Sequence, residues 1–269
     1  ASGLRHRAAE FVSGKADLRY KQKLSHYKSD LVAQLLRENR HPQLYAGLGS
    51  FIDMSEGQPR ALLTLLKQIH DWSDFQGEQP FVRGEISAEA QRKGAAGAAD
   101  WFYNSMTKAG RDGTDIIICI DRLAELFRLN QFADNPTECS LIGFSGSVLE
   151  ANDQAQKIIR LAKERSFLVE ISGGQNERNS ERVTAKLQLN RMLVPRWRLP
   201  TGRRGIVSFG SKELNAIFDP ENSEAFQHLR AEWEGGGNAP YFGKFRGKVN
   251  SDKDSDHLGI GQSDLFSDT

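Results

Sequence analysis

The 269-residue chain has few of the signatures of catalysis, metal binding or membrane insertion. No G-x-x-x-x-G-K-[ST] segment occurs, so there is no cradle of backbone N–H groups with a following lysine for the β- and γ-phosphates of ATP. The chain on its own is therefore not expected to hydrolyse ATP. His6, His26, His41, His70, His228 and His257 are scattered, with no H-E-x-x-H and no second ligand at metal spacing, so neither a metal site nor a catalytic set is expected. There is no G-x-S-x-G either. Gly143-Phe144-Ser145-Gly146 is one residue short of it, and its flanks lack the strand-to-helix turn of a nucleophile elbow. Cys119 and Cys139 form no metal-ligand pattern, which fits a reduced, cytoplasmic protein. No apolar run approaches the length of a membrane span, and Ala1-Ser2-Gly3-Leu4-Arg5-His6-Arg7 lacks the apolar core of a signal peptide. No membrane partner is expected.

What is present is ordinary in amount and uneven in place. With 38% hydrophobic and 26% charged residues the chain is long enough for two small domains and polar enough to be soluble. The net charge is only +1, yet between Lys157 and Arg204 twelve Lys or Arg stand against four Glu and no Asp, leaving the remainder net acidic. The basic stretch should attract polyanions.

Helical spacing dominates the first part. A helix is expected from Ser29 to Arg40, with Leu31 and Leu35 one turn apart, stopped by His41-Pro42. A second runs from Pro42 to Met54 with Leu44, Leu48, Phe51 and Ile52 on one side. Met54-Ser55-Glu56-Gly57-Gln58-Pro59-Arg60 then ends one helix and starts another, since Gly57 suits a left-handed terminus and Pro59 a first helical position. Leu62, Leu65, Leu66, Ile69 and Trp72 give that helix a buried face, and Arg60 projects from its exposed beginning. Ser87 should cap a fourth helix bearing Ala98, Trp101, Phe102, Ser105 and Met106 on one side. Together these make a small bundle over 1–110. On these residues alone Arg60 reads as a surface arginine of a helix-loop-helix.

The later chain changes period. Asp115-Ile116-Ile117-Ile118-Cys119-Ile120-Asp121 imitates a Walker B strand, but Ile117, Ile120, Ala124 and Phe127 continue at helical spacing and favour a helix. Another helix is expected from Leu149 to Arg165, with Ala155, Ile158, Ile159 and Ala162 inward and Gln154, Lys157, Arg160 and Lys163 outward. Phe167–Ile171 reads as a strand, and alternation of Val183, Ala185, Leu187 and Leu189 with Thr184, Lys186, Gln188 and Asn190 as a second. Ile171-Ser172-Gly173-Gly174-Gln175 imitates the ABC-ATPase signature, and Gly-Gly-Gln the release-factor tripeptide; an exposed turn is the simpler reading. The loop 173–182 carries Arg178, Asn179, Ser180 and Arg182, types that contact phosphate. Helix, turn, helix, hairpin is the order of a winged helix, whose second major helix enters the DNA major groove.

Past Pro195, the loop Arg196-Trp197-Arg198-Leu199-Pro200-Thr201-Gly202-Arg203-Arg204-Gly205 either holds a nucleic-acid backbone while Trp197 stacks, or packs its tryptophan under the arginines. Ile206–Phe209 is expected as a strand beside the wing, and Ser211 as the cap of a last helix carrying Leu214, Ile217 and Phe218. Residues 235–269 should be a flexible acidic tail.

Several words of this sequence resemble one family. Gly57-Gln58-Pro59-Arg60, Ile86-Ser87 with Gln91, Ala99-Asp100-Trp101-Phe102, Ile120-Asp121-Arg122-Leu123-Ala124-Glu125-Leu126-Phe127-Arg128, Ile171-Ser172-Gly173-Gly174-Gln175, Leu187-Gln188-Leu189-Asn190 and Pro195-Arg196-Trp197-Arg198-Leu199-Pro200 look like the C-terminal half of bacterial AAA+ ATPases similar to the origin-recognition and replication-initiator family. The likeness runs from about Leu44 to Asp219. It implies a mainly α chain with a small β hairpin: a helical AAA+ lid-like bundle over 1–110, a winged helix over 111–234, and the tail. It also implies that Arg60 is the sensor-2 arginine, reaching the γ-phosphate of ATP held by a separate P-loop domain. ATP and Mg would be cofactors only with that domain supplied, and its absence here suggests a fragment, a truncated product or a processed chain. The expected partner is double-stranded DNA, met by Gln154, Lys157, Arg160, Lys163, Arg178, Arg182, Lys186, Arg203 and Arg204. The alternatives are a winged-helix protein-interaction module and an ATPase completed in trans by a P-loop on another chain.

Overall fold

Gly57 takes φ +74° and Pro59 opens the helix that follows, so a stop and a start fall within three residues. Glycine enters the left-handed region without a steric cost, and proline's missing N–H would have no partner in a first turn anyway. The computed structural model describes residues 28, 30–36, 39–105, 109–133, 140–171, 185–202 and 205–234. Arg178, Arg182, Arg203, Arg204, the 173–182 loop and the tail 235–269 lie outside the described residues.

Helix α1 (Leu48–Met54) leads into the Gly57 corner and α2 (Pro59–Phe75) leaves it. A single turn, α3 (Pro80–Arg83), precedes α4 (Ala88–Asn104), whose cap is the expected one: the Ser87 hydroxyl accepts from the Ala90 N–H at 3.1 Å. The buried side of α4 is built from Ala90, Gly94, Ala95, Ala98 and Ala99, so α2 can approach its backbone closely. Next comes α5 (Gly110–Phe132), helical throughout the stretch that imitates a Walker B strand. After it come β1 (Gly143–Gly146), α6 (Asp153–Glu164), β2 (Leu168–Glu170), β3 (Ala185–Leu189), β4 (Val207–Phe209), α7 (Ser211–Phe218) and α8 (Ser223–Glu234). The sheet order is β2-β3-β1-β4, with β3 antiparallel to both neighbours and β4 parallel to β1. The architecture is mostly helical with this small mixed sheet.

Several expectations shift. The helix expected from Pro42 begins only at Leu48, because Gly47 stands at φ +89° and Tyr45 turns inward to donate its hydroxyl to the Leu199 carbonyl at 2.8 Å. The helix expected from Leu149 is split: a 3-10 turn covers Val148–Glu150, Ala151 is extended, and Asn152 caps α6 by accepting from Ala155 N–H. The strand expected beside the wing forms, but against β1, at the opposite edge of the sheet from β2. Gly210, not Ser211, occupies the N-cap of α7, since the Ser211 hydroxyl donates to the Glu150 carbonyl. One helix, α8, was not foreseen; Phe226, Leu229 and Trp233 bury its inner side.

Buried side chains from Tyr45 to Trp233 form one continuous apolar cluster. Phe102 of α4 stacks on Phe167 at 5.2 Å, where the chain enters β2. Arg122, buried on α5, donates to the carbonyls of Ala216, Asp219 and Pro220 and to the Ser223 hydroxyl, closing the ends of α7 and α8 around one guanidinium. Among the described residues no helix is long and apolar enough to cross a membrane.

Candidate functional site

Arg60 is the second residue of α2 and is exposed; its carbonyl accepts from the Thr64 hydroxyl at 2.9 Å, an interaction within the helix that leaves the guanidinium outward. The corner beneath it is anchored. Glu56 sits in the left-handed region at φ +49°, and its side chain is only 13% exposed. Its Oε1 accepts from Gln188 Nε2 of β3 at 2.6 Å and lies 3.4 Å from the Arg191 guanidinium. Arg191 also approaches Asp53 of α1 at 3.8 Å. Sequence reasoning missed this grip, since a lone acid before Gly57 carries no pattern. Gln188 is buried as well as Leu187 and Leu189, so both faces of β3 are covered, and Asn190 just past the strand is buried and donates to the Ser166 carbonyl.

The four outward residues of α6 are on the helix as expected, but they do not make a single cationic face. At about 100° per residue, a three-residue step drifts by about 60°, so Gln154 and Lys163 end at opposite margins of the exposed side. Lys157 turns toward α5 and pairs with Asp112 at 2.8 Å, and Lys163 turns toward β2 and pairs with Glu170 at 2.7 Å. Arg160 is 70% exposed and has Glu164 at 3.9 Å. Lys157's hydrogen bond and charge hold the Asp112 carboxyl below the usual carboxylate range. Gln154 is half-buried in a hollow with Arg111, Asp112, Asp115, Lys157, Asp219 and Glu221. Lys186 lies on β3 in register with Ser145 of β1 and is half-buried. Glu164, four residues from Arg160, and Asp112 and Glu170, on neighbouring elements, temper the basic stretch in a way that a count along the chain does not reveal.

The Arg196–Trp197 pair is packed, which settles the choice left open for it. Arg196 meets Asp100 at 2.6 Å and lies 3.7 Å over the Tyr103 ring, while Trp197 meets the same ring edge-on at 5.9 Å. The Tyr103 hydroxyl donates to Asp121 Oδ2 at 2.6 Å. Burial raises the Asp121 carboxyl, against the pull of that hydrogen bond and of nearby Arg196. Among the described residues no group of three or more His, Cys, Asp and Glu side chains can hold a metal.

The chain is thus a mostly helical body whose α2, with Arg60 exposed at its start, is joined through Glu56 to a small mixed sheet. The ORC-CDC6-like family model matches residues 2–209, and the chain belongs to that family, among relatives of AAA+ replication initiators. No curated protein and no solved structure matches it.

Proposed function

We propose that this chain is the DNA-contacting portion of an origin-recognition-like AAA+ ATPase, its later half a winged helix that meets duplex DNA mainly through phosphates. The observation that carries the reading is the run α5, β1, α6, β2, β3 within the sheet order β2-β3-β1-β4: a helix, a strand, a second helix and an antiparallel strand pair, the order that a winged helix would have. In this reading α6 enters the major groove. Lys157 and Arg160 meet the backbone after exchanging their carboxylate partners for phosphate, with Gln154 and Lys163 at the margins. The 173–182 loop is the wing, bearing Arg178 and Arg182, with Lys186 at its foot and Arg203 and Arg204 in the loop before β4. Arg60 is the sensor-2 arginine of a nucleotide site completed by a P-loop domain, with ATP and Mg as its ligands; the exposed guanidinium of Arg60 at the α2 N-terminus supports that role.

The test is a fluorescence titration of duplex DNA at a series of salt concentrations. Each phosphate contact removed should weaken binding on all sequences alike and flatten the salt slope by about one. An Arg178→Ala, Arg182→Ala variant that binds with an unchanged slope removes the wing from the assignment. One observation favours a second reading, a protein-interaction module: the cations of α6 already have acidic neighbours. Absence of duplex binding even at low salt would select it. Completion of an ATPase in trans is tested by mixing the chain with a P-loop partner and comparing turnover with Arg60→Ala.

A further inference from the structure

Three arginines around α4, α5 and the 194–199 turn have acidic partners: Arg196 has Asp100, Arg191 has Glu56, and Arg230 has Glu125. Three do not. Among the described residues no carboxylate lies within ion-pairing distance of Arg92, Arg128 or Arg198. They come from three elements that hydrogen bonds draw to one place. Arg128 donates to the Trp197 carbonyl at 3.1 Å, and the Tyr45 hydroxyl donates to that of Leu199 at 2.8 Å, so both neighbours of Arg198 are held there. The Gly47 N–H donates to Gln91 Oε1 at 2.8 Å, bringing the first turns of α4, and Arg92 with them, to the segment that carries Tyr45. Arg198 is exposed and adopts φ +56°, a backbone region costly for a residue with a Cβ.

We propose that Arg92, Arg128 and Arg198 form a binding site for a phosphate group. A guanidinium keeps its charge when partly desolvated, and an unpaired one at a half-buried position is unfavourable until an anion arrives. Among the described residues, Tyr45 and Glu89 sense these charges, and both are otherwise engaged. Burial pushes the Tyr45 hydroxyl upward, so it stays a neutral phenol whose proton is already donated. Glu89, the carboxylate on α4 that senses Arg92, is engaged by Lys93 at 2.9 Å. All three arginine charges are felt at Tyr45, and burial together with the charge of Arg198 holds Arg128 below its ordinary value. Planar guanidinium forks carried by three separate elements suit the tetrahedral oxygens of phosphate. The site is separate from α6. Its Arg128 lies sixteen positions along α5 from Asp112, the partner of Lys157, or about 24 Å at the helical rise. The phosphate belongs either to a nucleic-acid backbone, where the inference adds to the DNA reading, or to a free ligand.

The experiment uses the full chain and two probes, inorganic pyrophosphate by calorimetry and duplex DNA by salt titration. Pyrophosphate should bind, and Arg198→Gln and Arg92→Gln should each weaken it about tenfold or more, while Lys212→Ala, at an exposed position on α7, leaves it unchanged. Circular dichroism confirms that the variants fold, and Arg198→Lys should restore part of the affinity. If the phosphate is a backbone one, Arg198→Gln also lowers the DNA salt slope by about one and pyrophosphate competes with the duplex. If it is free, the DNA isotherm does not move while pyrophosphate binding is lost. Pyrophosphate binding without any duplex binding would remove the DNA reading and leave this one standing. Should pyrophosphate fail to bind, or bind the folded Gln variants as tightly as the unaltered chain, the site does not exist.

Discussion

A methyl group added to Gly94 would sit 2.5 Å from the Cα of Ile69, a contact that backbone cannot relieve by a rotamer change. Gly94→Ala should therefore force α2 and α4 apart and lower stability by about 1–3 kcal/mol, read as a drop in the urea midpoint. Asp121 gives a pH signature at the same scale. Its carboxyl is raised above the ordinary 3.8 by burial, so the folded state holds its proton more tightly than the unfolded chain does. Its contribution to stability accordingly falls as pH rises from that ordinary value through the raised one. Asp121→Asn keeps an acceptor for the Tyr103 hydroxyl and removes the proton. The stability difference between about pH 4 and about pH 7 should shift in favour of the higher pH relative to the unaltered chain. Asp112 tests whether α6 meets DNA. Asp112→Asn frees Lys157, and duplex affinity at low salt should rise roughly two- to fivefold.

Among the elements, the junction between the Gly57 corner and β3 makes the clearest prediction. Glu56→Ala removes the carboxylate that accepts from the 2%-exposed Gln188 amide and lies nearest the Arg191 guanidinium, at a cost of about 1–3 kcal/mol in a thermal melt. Such a junction also marks where reading the sequence succeeds and where it fails. Periodicity located α2, α4 and α5, because repeated Leu, Ile and Ala at helical spacing record which face is buried. It located β3 through Leu187 and Leu189. It did not reveal that Gln188 is buried too, since that follows from Glu56, 132 positions away. The order of β4 beside β1 escaped for a similar reason: three residues carry no information about which edge they join. At the candidate interface the residues of α6 were legible as exposed, but Asp112 and Glu170 were not legible as their partners, because those contacts arise from packing between elements.

For the whole molecule, one apolar interior from Tyr45 to Trp233 predicts one cooperative transition. Far-ultraviolet dichroism and tryptophan fluorescence should lose signal at the same denaturant concentration, Trp72 and Trp101 reporting on the first helices and Trp197 and Trp233 on the later ones. Two separated midpoints would mean that the halves unfold independently. The chain belongs to the ORC-CDC6-like family, and Arg60 is exposed at the start of α2. The Glu56 grip ties the Gly57 corner, from which α2 and Arg60 depart, to Gln188 of β3, so the start of that helix and the middle of the sheet are clasped by a single carboxylate.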